Sequence, residues 1–301
     1  MFMSGIADEA GPDLATQIRA HRELGWEQIE IRNVNGVQFH DLPHDAFETA
    51  CGQLADAGMH VSCFASAVAN WATNVGESFD RDREIVRRAL PRMRRLGTPF
   101  LRVMSYPNKG LTDEAWRDEA VRRLGELARM AGGEGVRLVL ENCDGWASVS
   151  PANFAEIFER VDHPAFKAVY DTGNPASHGH ANTWEWYRAA RPQIVYVHIK
   201  ANTGPRPDGA PGDHVWPEEG DSRVAETLFD LFRTGYDGGF SIEPHMKAVV
   251  HEGKKITDAE AAYQTYVEYG RRAERMVRDA AAAAAKAKQL IESCDGCDEC
   301  C

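Results

Sequence analysis

Four short apolar runs in the middle and later part of the chain each break off at a side chain that can move a proton or hold a metal ion. They run from Gly135 to Asn142, Phe166 to Asp171, Ile194 to Lys200 and Gly239 to Glu243, and they deliver Glu141, Asp171, His198 and Glu243. Each run is rich in β-branched and aromatic residues and too short for a helix, so it reads as a buried strand. Two glutamates, an aspartate and an imidazole offer hard oxygen ligands and one nitrogen. That set suits Mn²⁺, Mg²⁺ or Co²⁺ and tolerates Zn²⁺. Taken singly, a strand-end carboxylate more often caps a helix or pairs with an arginine; four in succession favour a shared centre.

One chemistry such a centre supports is removal of a proton beside a carbonyl. The resulting enediolate carries negative charge that a bound cation stabilises. A dication also settles a conflict between the glutamates, which would otherwise raise one another's pKa, and keeps both able to accept a proton.

For the four groups to meet, their strands must be parallel neighbours, and the rest of the chain has that rhythm. Met1 to Ala7 ends at Asp8-Glu9, and Asp13 to Leu24 carries Leu14, Ile18, His21 and Leu24 at helical spacing before Gly25. A glycine just past a helix end is a C-cap signal. The pattern recurs with strands at Trp26 to Ile31, His60 to Phe64 and Pro99 to Met104, and helices at Pro43 to Ala57, Asp80 to Leu96 and Thr112 to about Met130. Later helices are expected from Ser150, where an N-cap serine precedes Pro151, over Thr183 to Ala190, over Asp221 to Arg233 and from near Asp258. Eight strand-then-helix units predict an α/β fold, a single (β/α)8 TIM barrel over residues 1–275, with a helical extension and an exposed Cys-rich tail over 276–301. An open doubly wound sheet is the alternative, and no Gly-x-Gly-x-x-Gly follows any strand to support it.

Composition narrows the partners. A net charge of −12 argues against sequence-independent binding to a phosphate backbone. No apolar run approaches the eighteen or so residues of a membrane span, and the sequence opens directly on a strand-like segment, so a cytoplasmic protein is expected. Cys51, Cys63 and Cys143 are scattered, which suits a reducing compartment. Cys294, Cys297, Cys300 and Cys301 crowd the last eight residues; they read as a tail that scavenges metal or oxidises, against the alternative of a structural zinc cluster.

The words Leu140-Glu-Asn142, Tyr170-Asp-Thr-Gly-Asn174, Val197-His-Ile-Lys200, Glu219-Gly-Asp221 and Gly235 to Glu243 resemble the xylose-isomerase-like TIM barrel superfamily of sugar isomerases and epimerases, ketose 3-epimerases and inosose dehydratases among them. The resemblance covers the chain to about residue 275. It implies that Glu141, Asp171, His198 and Glu243 hold one divalent metal ion, Mn²⁺ being the expected one, and that Glu141 and Glu243 serve as catalytic acid and base on opposite faces of the sugar. Many relatives have a histidine where this chain has Asn174, in a position that helps bind substrate. No phosphate loop stands out, so the expected partner is an unphosphorylated sugar or keto-glycoside, with further copies of the same chain an open expectation.

Further substrate contacts are expected from Lys200, two residues beyond His198 on the same side of its strand, and from His214, Trp71 and His245. Each has a plainer reading: a structural ion pair for Lys200, a surface position for the histidines, packing under a loop for the tryptophan. Trp146 and Trp216 share that plainer reading, and His178 and His180 read as exposed loop in preference to a metal pair.

Three other functions compete. A lyase, dehydratase or deglycosidase acting on a keto-sugar or 3-keto-glycoside would use the same first step. A nuclease related to the family-2 apurinic/apyrimidinic endonucleases would need extra histidines after strands three and four, where the chain has Cys63-Phe-Ala-Ser66 and Met104-Ser-Tyr106. A catalytically silent subunit would have no use for four ligands at one depth.

Overall fold

The computed structural model describes residues 1–180, 182–207, 212–246 and 259–295. The strands β1 (Phe2–Gly5), β2 (Gln28–Ile31), β3 (His60–Ala65), β4 (Phe100–Ser105), β5 (Arg137–Gly145), β6 (Phe166–Asp171), β7 (Ile194–Ile199) and β8 (Gly239–Ile242) form one parallel sheet. Its hydrogen-bonded order runs β1, β8, β7 and so on down to β2, and a single parallel bridge, Ile6 to Glu30, joins its two edges. Helices lie between the strands: α1 (Leu14–Glu23), α2 (His44–Asp56), α3 (Asp80–Leu96), α4 (Asp113–Gly133), α5 (Pro151–Val161), a one-turn α6 (Asn174–Ser177), α7 (Thr183–Ala190), α8 (Val224–Arg233) and the long α9 (Ala259–Asp295). This is the (β/α)8 barrel the sequence predicts.

Alternation along each strand builds two cores. Inward residues Cys63, Phe100, Val139, Val169 and Tyr196 fill the barrel, while outward residues such as Leu138, Leu140, Ala168 and Tyr170 join the layer under the helices. Local signals end the helices where expected. Asp13 accepts a hydrogen bond from the Thr16 backbone at 2.9 Å to start α1, Ser150 does the same for α5 through Asn153, and Gly97 closes α3 at φ 69°.

One feature departs from the sequence reading. An antiparallel hairpin, Asn33–Val34 with Val37–Gln38, follows β2, turning on Asn35 and Gly36 at φ 52° and 79°. The final helix runs unbroken through residue 275, with Val277, Ala280 and Ala284 still buried. Of the tail cysteines, Cys294 lies in the last turn of α9, and Cys297, Cys300 and Cys301 lie outside the described residues.

The seam between α1 and α9 carries a pH dependence. His21 is fully buried; its Nδ1 is 2.9 Å from the Gln17 carbonyl and its Nε2 is 3.2 Å from the Tyr266 hydroxyl. Burial pushes its pKa down to about 4, so it stays neutral in the fold while the unfolded chain takes up a proton below about 6.5. The stability it contributes is complete above pH 6.5 and is lost as pH falls towards 4, by roughly 3 kcal/mol at about 1.4 kcal/mol per unit. Urea unfolding at pH 7 and pH 4.5 should show His21→Gln less sensitive to acid than the parent; equal sensitivity would refute the assignment.

Candidate active site and metal centre

Strands β5 to β8 bring Glu141, Asp171, His198 and Glu243 together at the C-terminal mouth of the barrel. One ligand atom from each lies within 4.8 Å of all the others, and all four residues are buried. Asp171 pairs in register with His198 across β6 and β7. The β5 and β6 ends are locked together by Asn142, whose Nδ2 donates to the Asp171 carbonyl at 2.9 Å and whose Oδ1 accepts from the Asp171 N–H at 2.7 Å. Asp171 Oδ1 caps α6, accepting from the Gly173 and Asn174 backbones at 2.8 Å each, which leaves Oδ2 for the centre. Residue 173 has to be glycine, because a Cβ there would come within 2.7 Å of the Lys200 side chain and 2.9 Å of its backbone.

Around the four lies a shell of charge. Glu30 on β2 holds His198 Nε2 at 3.1 and 3.2 Å, so His198 turns Nδ1 to the cluster, 3.7 Å from Glu141 Oε1 and 3.8 Å from Glu243 Oε2. Arg102 on β4 pairs with Glu141 at 3.0 Å, and Asn174 donates to the other Glu141 oxygen at 3.0 Å. Lys200 bridges Asp171 at 2.9 Å and Glu243 at 2.8 Å. Arg32 lies 3.0 Å from Asp8, 3.6 Å from Glu9 and 3.6 Å from Glu243.

These neighbours set the protonation states. Burial opposes ionisation of Glu141, but Arg102 and His198 together outweigh it and hold the carboxyl down at about 2. For Glu243, Lys200, His245 and His198 likewise overcome burial and hold it well below the usual carboxylate range. At Asp171 burial wins over Lys200, helped by the two glutamates, and the pKa is pushed up to about 7. Burial would lower the pKa of His198, but Glu30 and Glu141 raise it well above the ordinary value.

The donor set fits a divalent cation. Among the described residues, His198 Nδ1 is buried and makes no hydrogen bond, while Glu141 Oε2 and Asp171 Oδ2 are held by ion contacts, from Arg102 at 3.0 Å and Lys200 at 2.9 Å, that a dication would take over. Six buried carboxylates, Asp8, Glu9, Glu30, Glu141, Asp171 and Glu243, face three buried permanent cations, Arg32, Arg102 and Lys200. The excess negative charge in a dry interior is what a dication would neutralise. A second group, Glu9, Glu243 and His245, is also close enough to ligate. It already contains Arg32 and a 2.7 Å contact between His245 Nδ1 and Glu9, so it reads as an ion-pair cluster.

All the expected substrate contacts reach one cleft of about 230 Å³: Lys200, His214, Asn174, Trp71 and His245 line it together with Glu141 and Glu243. Lys200 and Asn174 hold the carboxylates as well. His214 packs its ring on His245 with centroids 5.2 Å apart. Trp146 instead packs in the core, and Trp216 lies against Tyr269 and Arg272. His178 lines the cleft, whereas His180 packs on Trp186. Sequence reasoning missed Glu30, Arg32 and Arg102, and with them Glu9.

A family model described as xylose isomerase-like TIM barrel matches residues 18–273. This chain belongs to that family. Among curated proteins, 2-epi-5-epi-valiolone 7-phosphate 2-epimerase from an Actinoplanes species is 29% identical to this chain over 115 residues. That match covers 37% of this chain and 41% of the relative, so it spans less than half of the relative's length. Two solved structures have the same fold. L-ribulose 3-epimerase superposes with a TM-score of 0.68 at 17% identity, covering 96% of this chain and 97% of its own. A xylose isomerase-like TIM barrel protein from Mycobacterium smegmatis, solved in complex with magnesium, gives 0.66 at 17% identity, over 92% and 97%. At those identities the likeness is one of fold.

Proposed function

We propose that this chain is a divalent-metal-dependent sugar epimerase or isomerase, moving a proton at the carbon beside a carbonyl. The observation that carries the reading is the convergence of Glu141, Asp171, His198 and Glu243 within 4.8 Å, with His198 Nδ1 aimed between the two glutamates. Epimerase chemistry in the curated relative supports it. The proposed ligands are those four residues, and a divalent ion bound there would supply Lewis-acid polarisation of adjacent oxygens.

Glu141 and Glu243 are the acid/base pair. Both are ionised at neutral pH, so either can accept a proton, while their low basicity reduces the driving force for the transfer. One glutamate takes the proton from carbon as the C–H pair forms a carbon–carbon double bond and the carbonyl π pair moves onto oxygen. A solvent water steered by the other, ionised, glutamate returns a proton to the opposite face, and the hydroxide left is neutralised by the proton the first glutamate holds, so the epimer formed in D₂O carries one deuterium. Lys200, Asn174 and Arg102 fix where the carboxylate oxygens stand. Because Arg102 and Lys200, the two permanent cations among the described residues that line the cleft, are committed to these ion pairs, an unphosphorylated sugar is the better fit, unlike the phosphorylated substrate named for the curated relative.

The test is deuterium incorporation, followed by NMR, from a panel of ketoses with the chain loaded with Mn²⁺, Mg²⁺, Co²⁺ or Zn²⁺ in turn. An epimer labelled at one carbon supports the reading, loss of water or an aglycone moves the chain to elimination chemistry, and no exchange under any metal rejects both. Glu30→Ala is expected to weaken metal affinity about 10–100-fold by releasing His198 from its fixed orientation. Calorimetry checks this, and an unchanged affinity would remove Glu30 from the centre.

A further inference from the structure

The cleft does not end at the sugar site. It opens into a groove of about 590 Å³ over the loops after β3, β4, β5 and β6, and the two share Trp71, Cys143 and His178. At about 230 Å³ the inner cleft falls below the roughly 300–1,000 Å³ usual for ligand sites, whereas the groove is inside that range.

Apolar and polar side chains line the groove together. Trp71, 43% exposed, and Val149, 52% exposed, present apolar surface to it, Trp116 adds a third apolar group, and Asn108 and Asp144 add polar ones. The backbone beside Asp144 is tightly constrained: Gly145, at φ 89°, packs so closely that a Cβ would come within 2.3 Å of the Ser105 backbone. Among the described residues that line the groove none is lysine or arginine, so an anionic group would meet Asp144 there with no cation from the described residues. Aromatic faces beside hydrogen-bonding groups suit the apolar faces and hydroxyls of a sugar ring.

We infer that the groove is a second subsite, and that the substrate is a keto-sugar carrying a second, uncharged ring in glycosidic linkage. This rests on the sugar reading above and names its substrate class. Binding the remote ring would let contacts far from the reacting carbon contribute to its orientation.

The test separates the groove from the catalysis. The full chain loaded with Mn²⁺ is titrated calorimetrically with D-fructose, isomaltulose and D-fructose 6-phosphate, and deuterium exchange is followed in parallel. Isomaltulose should bind at least about tenfold tighter than fructose, and the phosphate should gain nothing. Trp71→Ala and, independently, Val149→Glu should bring the disaccharide-to-monosaccharide ratio close to one. A ratio of one in the parent, absence of binding by either neutral sugar, preference for the phosphate, or a ratio that survives both substitutions would overturn the subsite. If isomaltulose binds tightly in the groove but no sugar exchanges its proton, the subsite stands and the epimerase reading falls.

Discussion

Glu243→Gln is expected to reduce deuterium incorporation by roughly 10²–10⁴-fold, the range typical of losing a positioned acid or base, and Glu141→Gln by a similar factor. The amide keeps the shape but cannot take a proton. The two variants should differ in stability. Glu141 is the carboxylate ion-paired with buried Arg102, at 3.0 Å. The cations beside Glu243 have other partners: Lys200 keeps Asp171 at 2.9 Å, and Arg32 keeps Asp8 at 3.0 Å. The Glu141→Gln protein should therefore lose more thermal stability than Glu243→Gln, because it leaves a buried guanidinium without its counter-charge. Retention of full exchange in either variant, with metal bound, would remove that residue from the proton transfer.

What the sequence revealed about the site follows from where its charges stand. Glu141, Asp171, His198 and Glu243 each terminate an apolar run, so the break in pattern marks the end of a strand and the mouth of a barrel. Glu30, Arg32 and Arg102 gave no such break, because they alternate with Ile29, Ile31, Leu101 and Val103. In an exposed sheet that alternation would mean a solvated face. In a barrel covered by helices the polar parity must point inward, and the charges that look solvated become the supports of the site. The Asn35-Gly36 turn was also a readable hairpin signal. The dual tasks of Lys200 and Asn174 were not readable, since contacts across β6, β7 and β8 depend on strand stagger rather than on spacing along the chain.

Adding Mn²⁺ at about 100 times its dissociation constant is expected to stabilise the fold by about 2.7 kcal/mol, raising Tm by roughly 4 °C for a chain of this size. The effect should be reversed by a chelator. Binding must also release protons, because Asp171, with its pKa pushed up to about 7, and His198, held protonated by Glu30 and Glu141, can ligate only after losing theirs. The sign follows: affinity should fall as pH drops below 7, by about tenfold per unit for each proton displaced. Calorimetry in buffers of different ionisation enthalpy counts those protons. Lys200 decides whether the centre needs a metal at all, since its ammonium already sits 2.8–2.9 Å from two of the four proposed ligands. If Lys200 only balances charge until a dication arrives, Lys200→Met should lower the Tm of the metal-free protein, where breaking a buried pair costs about 3–5 kcal/mol, and leave the loaded protein much closer to the parent. The gap between the metal-free and loaded proteins would then widen. If the lysine is instead the permanent counter-ion, the variant will be equally destabilised with or without Mn²⁺, neither form will release protons on titration, and the four-residue centre will have to be read as a buried salt-bridge network.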